Sequence, residues 1–186
     1  MRRSLLLVPL FFAALALGPS VAGIYDADAY QSLTRAEKRL ALRYPWQLLS
    51  VYRAARLGRT ESEARFPQYP GSDDPRDACR HATWNGSMVR RLESVAAAKR
   101  WADAHEDVPQ NPAARRQMDL TNNERGRDRT WARRTTNGPW WNRTQFPSDD
   151  EVARDMEQAV RNGELVMIEE QNGRRDPQSG ALVPTR

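Results

Sequence analysis

The sequence predicts a mainly α fold: a compact, single-domain helical bundle with a short β-hairpin near its C-terminus. Three observations predict it. Two capping boxes, Thr34-Arg-Ala-Glu37 and Ser148-Asp-Asp-Glu151, mark helix starts. Apolar residues between them recur at the 3.6-residue period of a helix. After the last such segment, an apolar run from Leu165 meets Asn172-Gly173, a turn dipeptide, and Ala181-Leu182-Val183 beyond it can pair back.

The first residues read as a secretory signal peptide (1–22). Met1-Arg2-Arg3 is a basic start, and Leu5 to Leu17 is an apolar run too short to span a bilayer comfortably. Ser20-Val21-Ala22 then supplies the small residues that a signal peptidase reads. No Cys follows the run to carry a lipid anchor, and Arg2-Arg3 is not a full twin-arginine motif. Export by the general secretory route, a periplasmic or secreted location and no transmembrane span after cleavage are therefore expected. Residues 23–186 make one domain by length, with a core over about 32–170 and a loose tail. Without Arg2 and Arg3 the basic count falls from 29 to 27 against 24 acidic residues, so the net charge falls from +5 to +3. That modest excess weakens any case for a nucleic-acid partner. Cys79 is the only cysteine, so no internal disulfide forms, and it reads as a small buried residue rather than a reactive thiol.

The elements follow in order. The first capping box starts a helix that runs to about Arg43. Pro45 ends it and opens the next, where Leu48, Val51, Tyr52 and Ala55 form a stripe and Gly58 suits a C-cap. Phe66 to Pro75 is rich in Pro, Gly, Ser and Asp and reads as a loop. A third helix spans about Pro75 to Leu92. The acidic residues at its start suit the helix dipole. A fourth spans Ala96 to about Glu106, with Ala97, Trp101 and Ala104 inward. Pro109 and Pro112 break the chain before a fifth, about Ala113 to Arg127. Thr135 to Pro147 reads as a loop. The second capping box begins a sixth helix with Val152, Met156 and Val160 inward, ended by Gly163.

Function is to be sought in the third helix. It holds one of only two histidines. At 100° per residue Ala78, His81, Ala82, Asn85, Met88, Val89 and Leu92 share one face. His81 and Asn85 thus sit a turn apart on the face that packs inward, and each costs roughly 1–3 kcal/mol unless a partner is found. The chain offers His105-Glu106 and Asp119 with Asn122-Asn123 as partners, and Gly126 leaves that arc of the fifth helix open to close approach.

Imidazole with carboxylates is the minimum kit for acid–base hydrolysis. His81, His105, Glu106 and Asp119 are the candidate catalytic residues. Asn85, Asn122, Asn123 and Arg127 are the candidate substrate-binding residues. A divalent metal on His81, His105 and Asp119 is the weaker version, because no pair of His stands at i, i+4. A basic, aromatic stretch from Arg125 to Arg143, with Trp131, Trp140 and Trp141, suits anionic lipid or an envelope polymer, or else a solvated Arg face over a Trp-anchored core.

The motifs Leu33-Thr34-x-x-Glu37, Tyr44-Pro45, Arg80-His81-Ala82-x-Trp84-Asn85, Ala104-His105-Glu106, Met118-Asp119-x-x-Asn122-Asn123-x-x-Gly126-Arg127 and Gly163-Glu164-Leu165 follow one another over most of the chain. In that order they resemble a bacterial domain-of-unknown-function family of exported or toxin-associated helical domains. The resemblance implies that the polar residues in these motifs belong to a shared core, and it implies no activity. Arg80-His81 before helical polar residues also faintly resembles secreted phospholipases A2. Here Ala82 stands after the histidine where that family has Asp, and no cysteine pairs exist, so neither its activity nor its calcium is carried over. The reading that results is an exported hydrolase of cell-envelope lipid, peptidoglycan or a related ester or amide. The alternative is a non-catalytic binding or structural domain whose His/Asn/Asp cluster is a core polar network.

Overall fold

The computed structural model describes residues 32–137 and 143–185. The expected signal peptide, and Trp140 and Trp141, lie outside them. Among the described residues the chain is mainly α, with short antiparallel strands toward the C-terminus.

Helix α1 (Arg35–Arg43) starts at the predicted capping box: Glu37 N–H donates to Thr34 Oγ1 (3.0 Å) and Thr34 N–H to Glu37 Oε2 (2.7 Å). Helix α2 (Pro45–Arg65) has Pro45 in its first turn but does not stop at Gly58. Gly58 is buried inside it because a Cβ there would lie 2.8 Å from Arg80 O and 3.1 Å from Trp84. The residue lets two helices touch rather than ending one. Helix α3 (Pro75–Leu92) is capped by Asp74, whose side chain accepts from Asp77 N–H, and ends at Glu93 in the left-handed region.

Ser94 caps α4 (Val95–His105). The connection 107–112 is largely exposed and is turned by Asn111 N–H donating to Val108 O (3.1 Å), with Gln110 at φ 63°. Helix α5 (Ala113–Ala132) runs beyond Arg127 because Thr130, a turn further on, is still buried. The segment expected as a loop holds a paired ribbon instead, β1 (Thr135–Asn137) with β2 (Arg143–Gln145). Phe146 beyond it packs on Trp131, with ring centres 5.8 Å apart. Helix α6 (Asp149–Arg161) carries the second capping box, and Gly163 follows at φ 71°.

The predicted hairpin forms: β3 (Val166–Ile168) pairs with β6 (Leu182–Pro184), Met167 opposite Val183. Between them β4 (Glu170–Gln171) and β5 (Arg174–Arg175) close over Asn172-Gly173. The core does not stop near residue 170, and the chain is not loose through Thr185. That residue is fully buried, its Oγ1 donates to Val160 O (2.8 Å) and its N–H to Leu165 O (3.0 Å).

Helix α3 is the axis of the bundle. From Pro75 to Val89 every residue except Arg76 and Arg80 is buried. It packs on α2 and α5 above all, and also on α4 and α6. One apolar cluster joins Ala78, Cys79 and Ala82 to Met118, Met156 and Leu165. Another joins Trp84, Met88 and Val89 to Val51, Ala54 and Trp101. A helix covered on all sides must find protein partners for each polar side chain it carries. No helix among the described residues is long and apolar enough to cross a membrane.

Candidate functional site

The first two turns of α3 bring Asp77 and His81 to one face, four residues apart. Asp77 Oδ2 accepts from Asp73 N–H (2.8 Å). Its Oδ1 meets the Arg80 guanidinium and lies 3.5 Å from His81 Nε2. Burial opposes ionisation of Asp77, but His81, Arg80 and the Asp73 N–H hold its carboxyl below the usual carboxylate range.

Gly126 sets how closely the facing helix approaches. A Cβ on it would lie 2.7 Å from Ala82 Cα, so α5 can cross α3 only with glycine there. That crossing places Asp119 Oδ1 3.4 Å from His81 Nε2. No hydrogen-bond partner reaches this oxygen. Burial, and then the charge of Asp77, push the Asp119 carboxyl up to about 8.

Glu106 follows the last residue of α4 and is buried. Its Oε2 accepts from Asn111 Nδ2 (3.3 Å), while Oε1 stands 3.8 Å from His81 Nδ1 without a hydrogen-bond partner. Burial and the Asp119 charge raise its pKa.

Behind His81 runs a chain of amides whose polarity is fixed at its far end. Arg127 has only donors to offer, so its contact with Asn85 (2.8 Å) makes the Asn85 atom an oxygen. Asn85 Nδ2 then faces Asn123, which must present Oδ1 (2.6 Å). That oxygen accepts from His81 Nδ1 (3.2 Å), so Nδ1 carries the proton and Nε2 is left as an acceptor. Arg80 Nη2 donates to Nε2 at 3.1 Å. Burial, with the charge of Arg80 against that of Asp77, pushes His81 down to about 4, so the ring is neutral at pH 7.

A cavity of about 310 Å³ opens onto this cluster, lined on its polar side by Arg80, His81, His105, Glu106, Arg115 and Asp119, and closed by residues 108–112. The expected residues therefore divide. His81, Glu106 and Asp119 converge at the cavity. Asn85, Asn123 and Arg127 stand behind His81 and orient it rather than lining the cavity. Asn122 is turned elsewhere: its side chain takes both backbone positions of Val166, Nδ2 donating to O (2.8 Å) and Oδ1 accepting from N–H (2.9 Å), and so fastens β3 to α5.

His105 is half-exposed at the rim, its Nδ1 3.0 Å from Glu37 Oε1 and its ring edge-on to Trp84. Burial lowers its basicity, but the Glu37 hydrogen bond and charge outweigh that and raise its pKa. Among the described residues, Asp77, His81 and Asp119 bring three ligand atoms within 4.8 Å of one another. Asp77 thus stands where the sequence suggested His105. Its signal was present, an acid four residues before a histidine on one helix, but it also suited a helix start. Arg80 is visible in the motif, whereas Arg115 is placed by its ion pair with Asp73 (2.5 Å), which depends on how the 66–74 loop folds back.

The Arg-rich stretch is largely satisfied internally. Arg129 and Arg133 pair with Asp155 (2.8 and 3.1 Å), and Arg134 lies 3.9 Å over the Trp131 ring.

No curated protein and no solved structure matches the chain. A family model does match, over residues 38–162, a span that holds His81, Glu106, Asp119 and the amide chain behind them. The chain belongs to the family described as Domain of unknown function (DUF6973).

Proposed function

We propose that the cavity is the active site of an exported hydrolase that cleaves an ester or amide bond in cell-envelope lipid, peptidoglycan or related material. One observation carries the reading: two buried carboxylate oxygens, Glu106 Oε1 and Asp119 Oδ1, have no hydrogen-bond partner and flank His81 where the cavity opens. Leaving such groups unpaired costs roughly 1–3 kcal/mol each, and more when charged. A fold can carry that cost where a water or substrate completes the contacts. The Arg127–Asn85–Asn123 chain alone would serve a purely structural domain; the two open oxygens add acceptors at the cavity, where a water or substrate can reach them.

The roles follow from position. A water between His81 and Glu106 gives its proton to Glu106, which later returns it to the leaving alcohol or amine. The open oxygen of Asp119 orients that water, and His81, held in one tautomer, stands between the two carboxyls and sets their spacing. The Arg80 guanidinium at the cavity faces the oxygen on which charge develops. The basic and apolar N-terminal residues support an envelope location.

The test is hydrolysis of phospholipid, peptidoglycan and fluorogenic ester and amide substrates by the purified chain. Glu106→Gln should cut turnover roughly 10²–10⁴-fold with an unchanged melting temperature. Cleavage of none of these substrates, or a Glu106→Gln variant as active as the native chain, overturns the proposal.

A further inference from the structure

We infer that Asp77 Oδ1, His81 Nε2 and Asp119 Oδ1 bind one divalent cation of the Zn²⁺ or Mn²⁺ class at the wall of this cavity. The inference deepens the hydrolase reading and concerns the same site. Three observations support it independently of that reading.

The first is geometric. Each residue offers an acceptor, and the three lie within 4.8 Å of one another, with Nε2 3.5 Å from one carboxylate oxygen and 3.4 Å from the other. Atoms about 2 Å from a common ion stand roughly 3–3.5 Å apart, so the ring nitrogen is already at ligand spacing from both oxygens. Rigid helices supply all three, two from α3 and one from α5.

The second is the direction of the hydrogen bonds. Arg127, through Asn85 and Asn123, forces the His81 proton onto Nδ1. A histidine with Nδ1–H given to an oxygen behind it and its Nε2 lone pair turned toward two carboxylate oxygens and the Arg80 guanidinium is arranged as a metal ligand with its outer-shell partner. The Nε2 lone pair and the two carboxylate oxygens converge on one point, and the Arg80 guanidinium is the positive charge set against two of the three.

The third is the unmet acceptor. The Arg80 guanidinium satisfies Asp77 and Nε2, yet Asp119 Oδ1 has no partner, and its residue is only 5% exposed. One guanidinium thus covers two of the three acceptors, where a cation at their centre covers all three. The Arg80 side chain is 44% exposed and lines the cavity, so its guanidinium can yield Asp77 and Nε2 to the ion and stay at the cavity, facing the developing charge. One imidazole with two carboxylates suits Zn²⁺ or Mn²⁺ better than Ca²⁺, which takes oxygen ligands alone.

A cation bound there would supply Lewis acidity and lower the pKa of a water at the cavity wall. Glu106 would take that water's proton as its oxygen attacks the carbonyl carbon, and would return the proton to the departing oxygen or nitrogen. Glu106 is then the base and not a ligand, which separates the two roles by experiment.

The experiment is calorimetric titration of the untagged, chelator-treated full chain with ZnCl₂ and with MnCl₂, CaCl₂ serving as control, beside thermal melts. One saturable site for Zn²⁺ or Mn²⁺ and a raised melting temperature are expected. Asp119→Asn should weaken binding by roughly tenfold or more while the apo melting temperature shows that it folds. Glu106→Gln should bind as the native chain does. The absence of saturable binding at millimolar metal, or binding that neither Asp119→Asn nor Asp77→Asn weakens, overturns the inference. Binding without turnover leaves this site standing and removes the hydrolase reading. Turnover that survives chelation, with no binding, does the reverse.

Discussion

Arg127 Nη1 lies 2.8 Å from Asn85 Oδ1, and this contact decides which nitrogen of His81 carries the proton. Arg127 is buried, and burial lowers its pKa. Such an arginine is held for the direction of its N–H groups. Replacing it with Met keeps the apolar bulk and removes the donor, so Asn85 and Asn123 are free to turn over. Nitrogen-detected NMR of His81 should show the Nδ1–H tautomer in the native chain and a mixture in Arg127→Met. Stability should fall by about 1–3 kcal/mol, the cost of leaving a buried partner unpaired. An unaltered tautomer would show that Asn123 alone fixes the ring.

Gly126 gives an opposite-sign case for a familiar rule. Ala is favoured over Gly inside a helix by about 1 kcal/mol. At this position a Cβ would stand 2.7 Å from Ala82 Cα, a backbone atom that cannot yield without moving α3. Overpacking of this kind costs about 1–3 kcal/mol. Gly126→Ala should therefore destabilise in urea titrations despite its better helix propensity. A gain in stability would mean that the two helices separate easily.

The rim pair titrates in a definite window. His105 is raised above its ordinary 6.5, so its contribution is complete below that value and is lost as pH rises through the folded pKa. Glu37 is lowered below its ordinary 4.5, so its contribution is present above that value and is lost as pH falls through the folded pKa. Both act together between pH 4.5 and 6.5. Glu37→Gln removes the charge but still suits the third position of the capping box. Its deficit against the native chain should be larger at pH 5.5 than at pH 9. Melting curves at the two values check this, and equal deficits would show that the ion pair contributes nothing.

Cys79 is fully buried beside Thr83, and burial pushes its thiol up to about 12. Thiolate is the reactive form. A thiol reagent should leave the native chain unlabelled at pH 7 and label one group after denaturation. Rapid native labelling would place Cys79 on a surface that opens.

What the sequence disclosed was mostly local. The capping boxes at Thr34 and Ser148 and the inward phase of His81 and Asn85 depend on near neighbours, and they appear as read. The convergence of His81, Asp119 and Glu106 was legible as a supply of matching groups, though periodicity says nothing about which helix faces which. Contacts that span the chain were hidden. Glu37 meets His105 and Asn122 fastens Val166 through packing that no short pattern encodes. Glu106 was ambiguous because its burial depends on α4 stopping at His105 and on Asn111 folding back over it. Asp77 and Gly58 misled for a shared reason. Each residue type has a common role at a helix end; Asp77 instead meets His81 one turn along the same helix, and Gly58 admits the crossing of α2 and α3.

Residues 108–112 of the connection after α4 are the outer wall of the cavity, and none of them is buried. The acceptors they face are mounted on helices whose positions are fixed by the core. Chemistry and admission are thus carried by separable parts of the chain. Insertions or exchanges in this rim can remodel what reaches His81 and Asp119 while the bundle keeps its shape. Two chains that share these helices but differ in that connection would present the same reactive groups behind different doors.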